Sequence, residues 1–349
     1  MPLIQKILDM LNNNKQGYEG TGKEIGGYFG LDLPYYPDLH PDALKYQSGR
    51  AAIRAVIEYA DIDRVMVPAY VCDSVINAVV DSKAKIDFYA LDDELYPMHL
   101  PHQPSDRCAL FYVNYFGLCR NNTRRLLNEY PCDHIIIDNS QAVFAQHEDV
   151  LATIYSPRKF VGVPDGGLLR ISPSMKLAPP AREDSESIAR MHSLLVRLAY
   201  SAREGYADYQ KIGFSLKNTM PLRMSRLTQR LLKSIHWDWV ADRRRDNFLT
   251  IAKILDPINE KTWVMGERDV PMCYPLNILD SAIDRIKTEL MERNIFVPIY
   301  WKDALPRIEP GSTEDSMTNS TLYLPIDQRL ECAQVESVAN LTLKLMGMN

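Results

Sequence analysis

Six apolar runs punctuate the first half of the chain: RVMVPAYV (64–71), KIDFYAL (85–91), CALFYVNYFG (108–117), HIIIDNS (134–140), LATIYSP (151–157) and GGLLRIS (166–172). Each is of strand length and bounded by turn residues. Several are nearly continuous, as expected of strands buried on both faces. Helical periodicity lies between them. GRAAIRAVIEYA (49–60) places Ile53, Val56, Ile57 and Ala60 at i, i+3, i+4 and i+7. DSVINAVVDS (73–82) opens with Asp73 as a candidate N-cap, and NNTRRLLNEY (121–130) follows the same logic. Alternation of this kind predicts an α/β fold, a mostly parallel sheet with helices on both faces.

Beyond residue 172 the pattern changes. SIARMHSLLVRLAYSAREGYADYQ (187–210) reads as one long helix, followed by helices in MSRLTQRLLKSI (224–235) and VADRRRDNFLTIAKIL (240–255). The remainder mixes short apolar stretches, TWVMG, MCYPLNI, IFVPIYW and TLYLPID, with helices at 279–294 and 332–347. This predicts a large domain over 1–240 and a small C-terminal α+β domain over 241–349. At the N-terminus, Leu3, Ile4, Ile7, Leu8 and Leu11 predict a short amphipathic helix.

Composition adds exclusions. The 349 residues are 46% hydrophobic and 24% charged with a net charge of -5, so the basic face of a nucleic-acid binder is not expected. No apolar run reaches the length of a membrane span, and the N-terminus is too polar for a secretory signal. The six cysteines include no CxxC pair, and the seven histidines have no metal-ligand spacing, so no metal is expected. A reducing cytoplasm fits scattered thiols of this kind. The run DRRRDN (242–247) reads as a solvated helix face, and GGYFG (26–30), with no strand before it, is not a dinucleotide loop.

Three stretches carry candidate chemistry. In SGRAAI, Ser48 and Gly49 open a helix whose free N–H groups and dipole favour an anion, and Arg50 adds a permanent cation. The plain alternative is an N-cap beside a surface arginine. In IIIDNSQA, Asp138 ends a buried strand, where open α/β sheets bind ligands, with Gln141 three residues on. The alternative is a capping aspartate. In YSPRKFVGVPDGG, Lys159 follows the next strand, in a loop that Gly162, Gly166 and Gly167 sharpen. A lysine crowded by Arg158 and partly desolvated surrenders its proton readily and suits a Schiff base; the alternative is a solvated cation pair. Taken together, an anion cradle, a buried carboxylate and a lysine are what pyridoxal phosphate requires for its phosphate, its ring nitrogen and its aldehyde.

At this point the sequence resembles the fold type I pyridoxal-phosphate enzymes, specifically the DegT/DnrJ/EryC1/StrS sugar aminotransferases, over nearly its whole length. SGRAAI matches that family's SGT-A phosphate motif. VPAYVCDSVINAVV matches its proline strand and following Asn-Ala helix, YVNYFG its aromatic-glycine turn, and IIIDNSQA its D-x-x-Q/H-A motif. SPRKFVGVPDGG matches the Schiff-base segment, and MPLRMSRLTQ and LYLPID also fit. The resemblance implies a transaminase that moves an amino group, by analogy from glutamate, to a keto sugar carried on a nucleotide, as a homodimer with shared active sites. It implies Lys159 as the Schiff-base lysine, Asp138 as partner of the pyridine nitrogen and Gln141 against the ring or its hydroxyl. Ser48, Gly49, Arg50, Ser156 and Arg158 are the implied phosphate ligands.

Three departures stand out. Cys72 occupies the place of a ring-stacking aromatic or histidine, with Tyr70 the nearby aromatic candidate. The family's serine lies farther upstream of the lysine than Ser156 does. Pro221 replaces an asparagine that the family contributes from the partner chain, so Arg50 or Arg158 is expected to make up the lost phosphate contact. Two other readings follow. A sugar dehydratase of the same cofactor class would carry a histidine at the position of Lys159. A catalytically inactive binding protein on the same fold would draw support from Cys72 and is opposed by the Lys159–Asp138 pair.

Overall fold

A computed structural model describes residues 26–217, 219–278 and 283–348. The amphipathic helix expected at residues 3–11 lies outside them.

An eight-stranded sheet organises the first half of the chain. Its strands are β1 (Leu44–Tyr46), β2 (Arg64–Pro68), β3 (Lys85–Leu91), β4 (Pro97–Met98), β5 (Cys108–Val113), β6 (Ile135–Asn139), β7 (Ala152–Tyr155) and β8 (Gly167–Ile171), in the order β1-β8-β7-β6-β5-β2-β3-β4. The five strands β3, β2, β5, β6 and β7 are mutually parallel. β8 runs against β7, and β1 runs against β8, so β1 points the same way as the parallel set. Every residue of β5, β6 and β7 is buried, which explains their unbroken apolar runs.

Helices α1 (Gly49–Tyr59), α2 (Asp73–Asp81) and α3 (Arg120–Glu129) connect the strands. Asp73 is not the N-cap of α2. Cys72 holds that place and makes no capping bond, while Asp73 falls in the first turn, where a carboxylate still complements the dipole. The long helix expected at 187–210 is two helices, α4 (Ser187–Ala199) and α5 (Ala202–Ser215). The break is a cap: the Ser201 hydroxyl accepts from Glu204 N at 3.2 Å and ends helical continuity at Tyr200.

The chain continues through α6 (Arg226–Leu232) and α7 (Trp237–Leu255) into a C-terminal region. There β9 (Tyr274–Asn277) pairs antiparallel with β10 (Thr321–Leu324), beside α8 (Ile283–Glu292), α9 (Thr313–Asn319) and α10 (Cys332–Leu345). α10 packs on α7. The run 242–247 is not a purely solvated face: Arg244 and Asn247 are buried along the side of α7 that also carries Val240, Phe248 and Ile251. Among the described residues, no helix is long and apolar enough to cross a membrane.

Candidate active site

Strand direction gathers the chemistry. Because β1, β2, β5, β6 and β7 point one way, the segments leaving them emerge along one edge of the sheet. These are Gln47–Arg50, the Cys72 segment, the Phe116 turn, Asp138–Gln141 and Ser156–Lys159. Strand order reverses between β2 and β5, the crevice position where open α/β sheets take ligands.

Ser48 caps α1 in extended backbone (φ -157°, ψ 161°), its hydroxyl accepting from Ala51 N at 3.3 Å. The N–H groups of Gly49 and Arg50 are left without intrahelical acceptors. The glycine pair closes on this turn. Gly166, at φ +127°, donates its N–H to Gln47 O at 2.7 Å. A Cβ on Gly167 would overlap the Ser48 carbonyl and the Gly49 nitrogen, so only glycine fits. On its other side, Gly49 faces Ser140 Oγ and Ile154 Cγ2, each 3.6 Å from where its Cβ would stand. The cradle therefore touches the Asp138 loop and the β7 strand that leads to Lys159.

Asp138 is 6% exposed and receives Ser140 N at 2.8 Å. Burial pushes its carboxyl above the ordinary carboxylate range, opposed by the Lys159 charge and by the bonds from Ser140. Lys159 ends a 3-10 turn, Pro157–Lys159, hung from β7, and its side chain is exposed. The desolvation expected at the lysine thus falls on its carboxylate neighbour. Gln141 is 1% exposed. Its Oε1 accepts from Phe116 N at 3.1 Å, and its Nε2 has no partner. Phe116 (φ 56°) is left-handed, a costly state for a bulky residue. An N–H can only donate, so this strained turn fixes the amide with its oxygen inward and its two N–H groups available.

The guanidinium groups of Arg50 and Arg158 crowd each other. Arg50 donates to the Leu216 carbonyl, and burial lowers its pKa. Arg158 is also shifted down, by burial first and then by the charges of Arg50 and Arg190 against Tyr209 and Asp165. Its Nε is buried without a partner. Ser156 is half-buried and makes no capping bond with its side chain. Behind them, Arg190 and Asp184 form a buried ion pair at 2.5 Å. Asp165 is fully buried, and neither oxygen lies in hydrogen-bond geometry with a donor, although Ser225 and Thr228 are close enough to favour its charged form. Burial and Asp184 push its carboxyl up to about 6. Sequence reasoning passed over Asp165; its place one residue before the double glycine was the available signal.

Cys72 is half-buried and close enough to Arg50 to interact with it electrostatically. Tyr70 does not take the ring-covering place expected of it. It is fully buried, bonded to the Tyr323 hydroxyl at 2.8 Å, stacked on Tyr115 and set edge-on to Trp301. The segment it belongs to is tied down from the C-terminal region. Arg307 donates to Ala69 O at 2.9 Å, to the Val71 carbonyl and to Asp73 Oδ1 at 2.9 Å. Asp303 accepts from Asp73 N at 2.7 Å.

No family model matches the sequence, and no curated protein matches it significantly. Solved structures do match in fold. A DegT/DnrJ/EryC1/StrS aminotransferase from Brucella abortus is 15% identical over 87% of this chain and 86% of its own, with a TM-score of 0.56. The sugar aminotransferase CalS13 from Micromonospora echinospora is 14% identical over 88% and 87%, with a TM-score of 0.55. NtdA from Bacillus subtilis, with bound cofactor PMP, is 14% identical over 86% and 73%, with a TM-score of 0.57. The chain therefore has the fold type I architecture of the DegT/DnrJ/EryC1/StrS aminotransferases, over most of its length and most of theirs.

Proposed function

We propose that this protein is a pyridoxal-phosphate-dependent transaminase that transfers an amino group, from glutamate, to the ketone of a nucleotide-linked sugar. One observation carries the reading: Asp138 and Lys159, from adjacent parallel strands, act on each other beside the Ser48–Gly49 cradle. The residues present fit the cofactor. Two crowded guanidinium groups, one with an unpaired buried nitrogen, suit a phosphate. A buried carboxylate suits a protonated ring nitrogen, and an orphaned amide suits a phenolic oxygen.

When bound, pyridoxal phosphate supplies an electron sink for charge developing beside the transferred nitrogen. Ser48, Gly49, Arg50, Ser156 and Arg158 would hold its phosphate, Asp138 its ring nitrogen, Gln141 its phenolic oxygen and Lys159 its aldehyde, with Cys72 near its ring. Asp138, whose charged form the Lys159 charge favours against burial, would pair with the protonated ring nitrogen and so stabilise negative charge developing on the substrate. Lys159 Nζ, when free, would take a proton from the substrate carbon and return it, as base and then acid. The dehydratase alternative has no support in a chain with lysine at 159.

The homodimer belongs to the same proposal. α4 and α5 expose Ile188 (78%), Leu198 (84%) and Phe214 (66%), a face suited to a second copy. So does the domain division near residue 240, a position that α7 spans.

The test is spectroscopic. Wild-type protein with pyridoxal phosphate should give a visible, borohydride-reducible adduct that Lys159→Ala lacks, and glutamate should convert it to the aminated cofactor. A wild type that forms no adduct at Lys159 overturns the reading.

A further inference from the structure

Phe160 directly follows Lys159, and its carbonyl is held. Gln328 Nε2 donates to Phe160 O at 2.8 Å, and Gln328 Oε1 accepts from Arg244 Nε at 2.9 Å. Arg244 is 2% exposed, donates to Met272 O at 3.0 Å, and lays its guanidinium 4.6 Å from the centre of the Phe160 ring. Phe144 meets the same ring edge-on at 5.8 Å. The hydrogen bonds of Arg244 go to an amide and to carbonyls, not to a carboxylate. Burying a cation on such terms is costly. Its directional result is specific: a guanidinium can only donate, so the Gln328 oxygen must face it and the Gln328 N–H must face the Phe160 carbonyl.

We propose that Arg244 and Gln328 are positioning residues for Lys159. Arg244 orients the amide, the amide holds the Phe160 carbonyl, and Phe160 closes the turn that displays the amine. The role assigned to the amine rests on the function proposed above, so the first readout needs no cofactor. The N–H groups of Lys159, Phe160 and Val161 bond to Ser156 O and Pro157 O at 3.1, 2.9 and 3.0 Å. In Gln328→Leu, hydrogen exchange at these three amides should accelerate roughly tenfold, with β5 amides unchanged. Gln328→Glu, which still accepts from Arg244 but cannot donate to the carbonyl, should behave alike. Unchanged exchange in the turn, acceleration that extends equally into β5, or wild-type protection in Gln328→Glu overturns the proposal. The second readout uses pyridoxal phosphate. The pH midpoint of the adduct's visible absorption should move by about half a unit or more in Gln328→Leu. A midpoint that stays in place while exchange accelerates means that the turn is held but the amine is not positioned, and also overturns it. If the wild type forms no adduct, the transaminase reading fails on its own, and the exchange experiment still decides whether Gln328 holds the turn.

Discussion

The sheet edge and the C-terminal region treat buried polar groups in opposite ways. At the edge, Gln141 Nε2, Arg158 Nε and both Asp165 oxygens lack partners. In the C-terminal region, among the described residues, such groups are engaged. Asn247 reaches the carbonyls of Ile326, Asp327 and Leu330, and Asn277 reaches Ser316 and Thr321. Among the described residues, every unpaired buried side-chain atom falls between positions 141 and 237. An unpaired buried donor costs about 1–3 kcal/mol, so a chain keeps several together only where something else satisfies them. On the reading proposed above, the sheet edge is the region that would receive a ligand, and the C-terminal region holds it in shape.

The comparison can be broken most forcefully at Lys159. Lys159→Ala should slow single-turnover amino transfer from glutamate by about 1,000-fold or more while leaving the melting temperature near wild type. A large loss of stability instead would make the lysine part of the scaffold. Gly167→Ala should do the reverse, costing about 3 kcal/mol in urea unfolding because the added methyl meets the Ser48 backbone; wild-type stability would refute the close approach.

Asp165 sharpens the picture through pH. Its carboxyl stands near 6 against an ordinary 3.8, so the folded state retains a proton that the unfolded chain releases. Its contribution to stability therefore falls as pH rises from about 4 to about 6, and the penalty is complete above that. The stability of Asp165→Asn relative to wild type should rise by on the order of 2 kcal/mol from pH 4 to pH 7, read by urea titrations across that range. Parallel curves would show that the carboxylate is paired after all. The smallest effect belongs to Arg307→Met, which should cost about 1.5 kcal/mol in the same assay and speed alkylation of Cys72 as its segment loosens. An unchanged alkylation rate would separate the C-terminal clamp from the site.

The large sheet was legible because its strands are buried on both faces, and burial writes an apolar run of strand length. KIDFYAL became β3 residue for residue. Asp138 and Lys159 stood out as candidates because one lies at the end of such a run and the other in the turn just after the next. The C-terminal region resisted because its work is done by isolated polar residues whose partners are distant in sequence. Arg244 pairs with Gln328 and Arg307 with the segment at 69–73, and neither local spacing nor charge announces such pairs. Arg244 did leave a trace: it shares the helical stripe of Val240, Phe248 and Ile251, an odd place for a cation. The break at Ser201 was likewise readable as a cap before Glu204, yet the apolar periodicity running through it suggested continuity.

The bond from Gly166 to Gln47 has a consequence for biosynthesis. Its two ends are 119 residues apart, and among the described residues β1 forms its ladder with β8, so that pairing cannot form until the chain has grown past residue 171. A ribosome adding about 5–20 residues per second leaves that edge waiting for several seconds or more. Contacts of such separation form late and slowly. The anion cradle is thus among the last parts of the sheet to be completed, and a chain truncated before β8 would have Lys159 without the turn that closes on it.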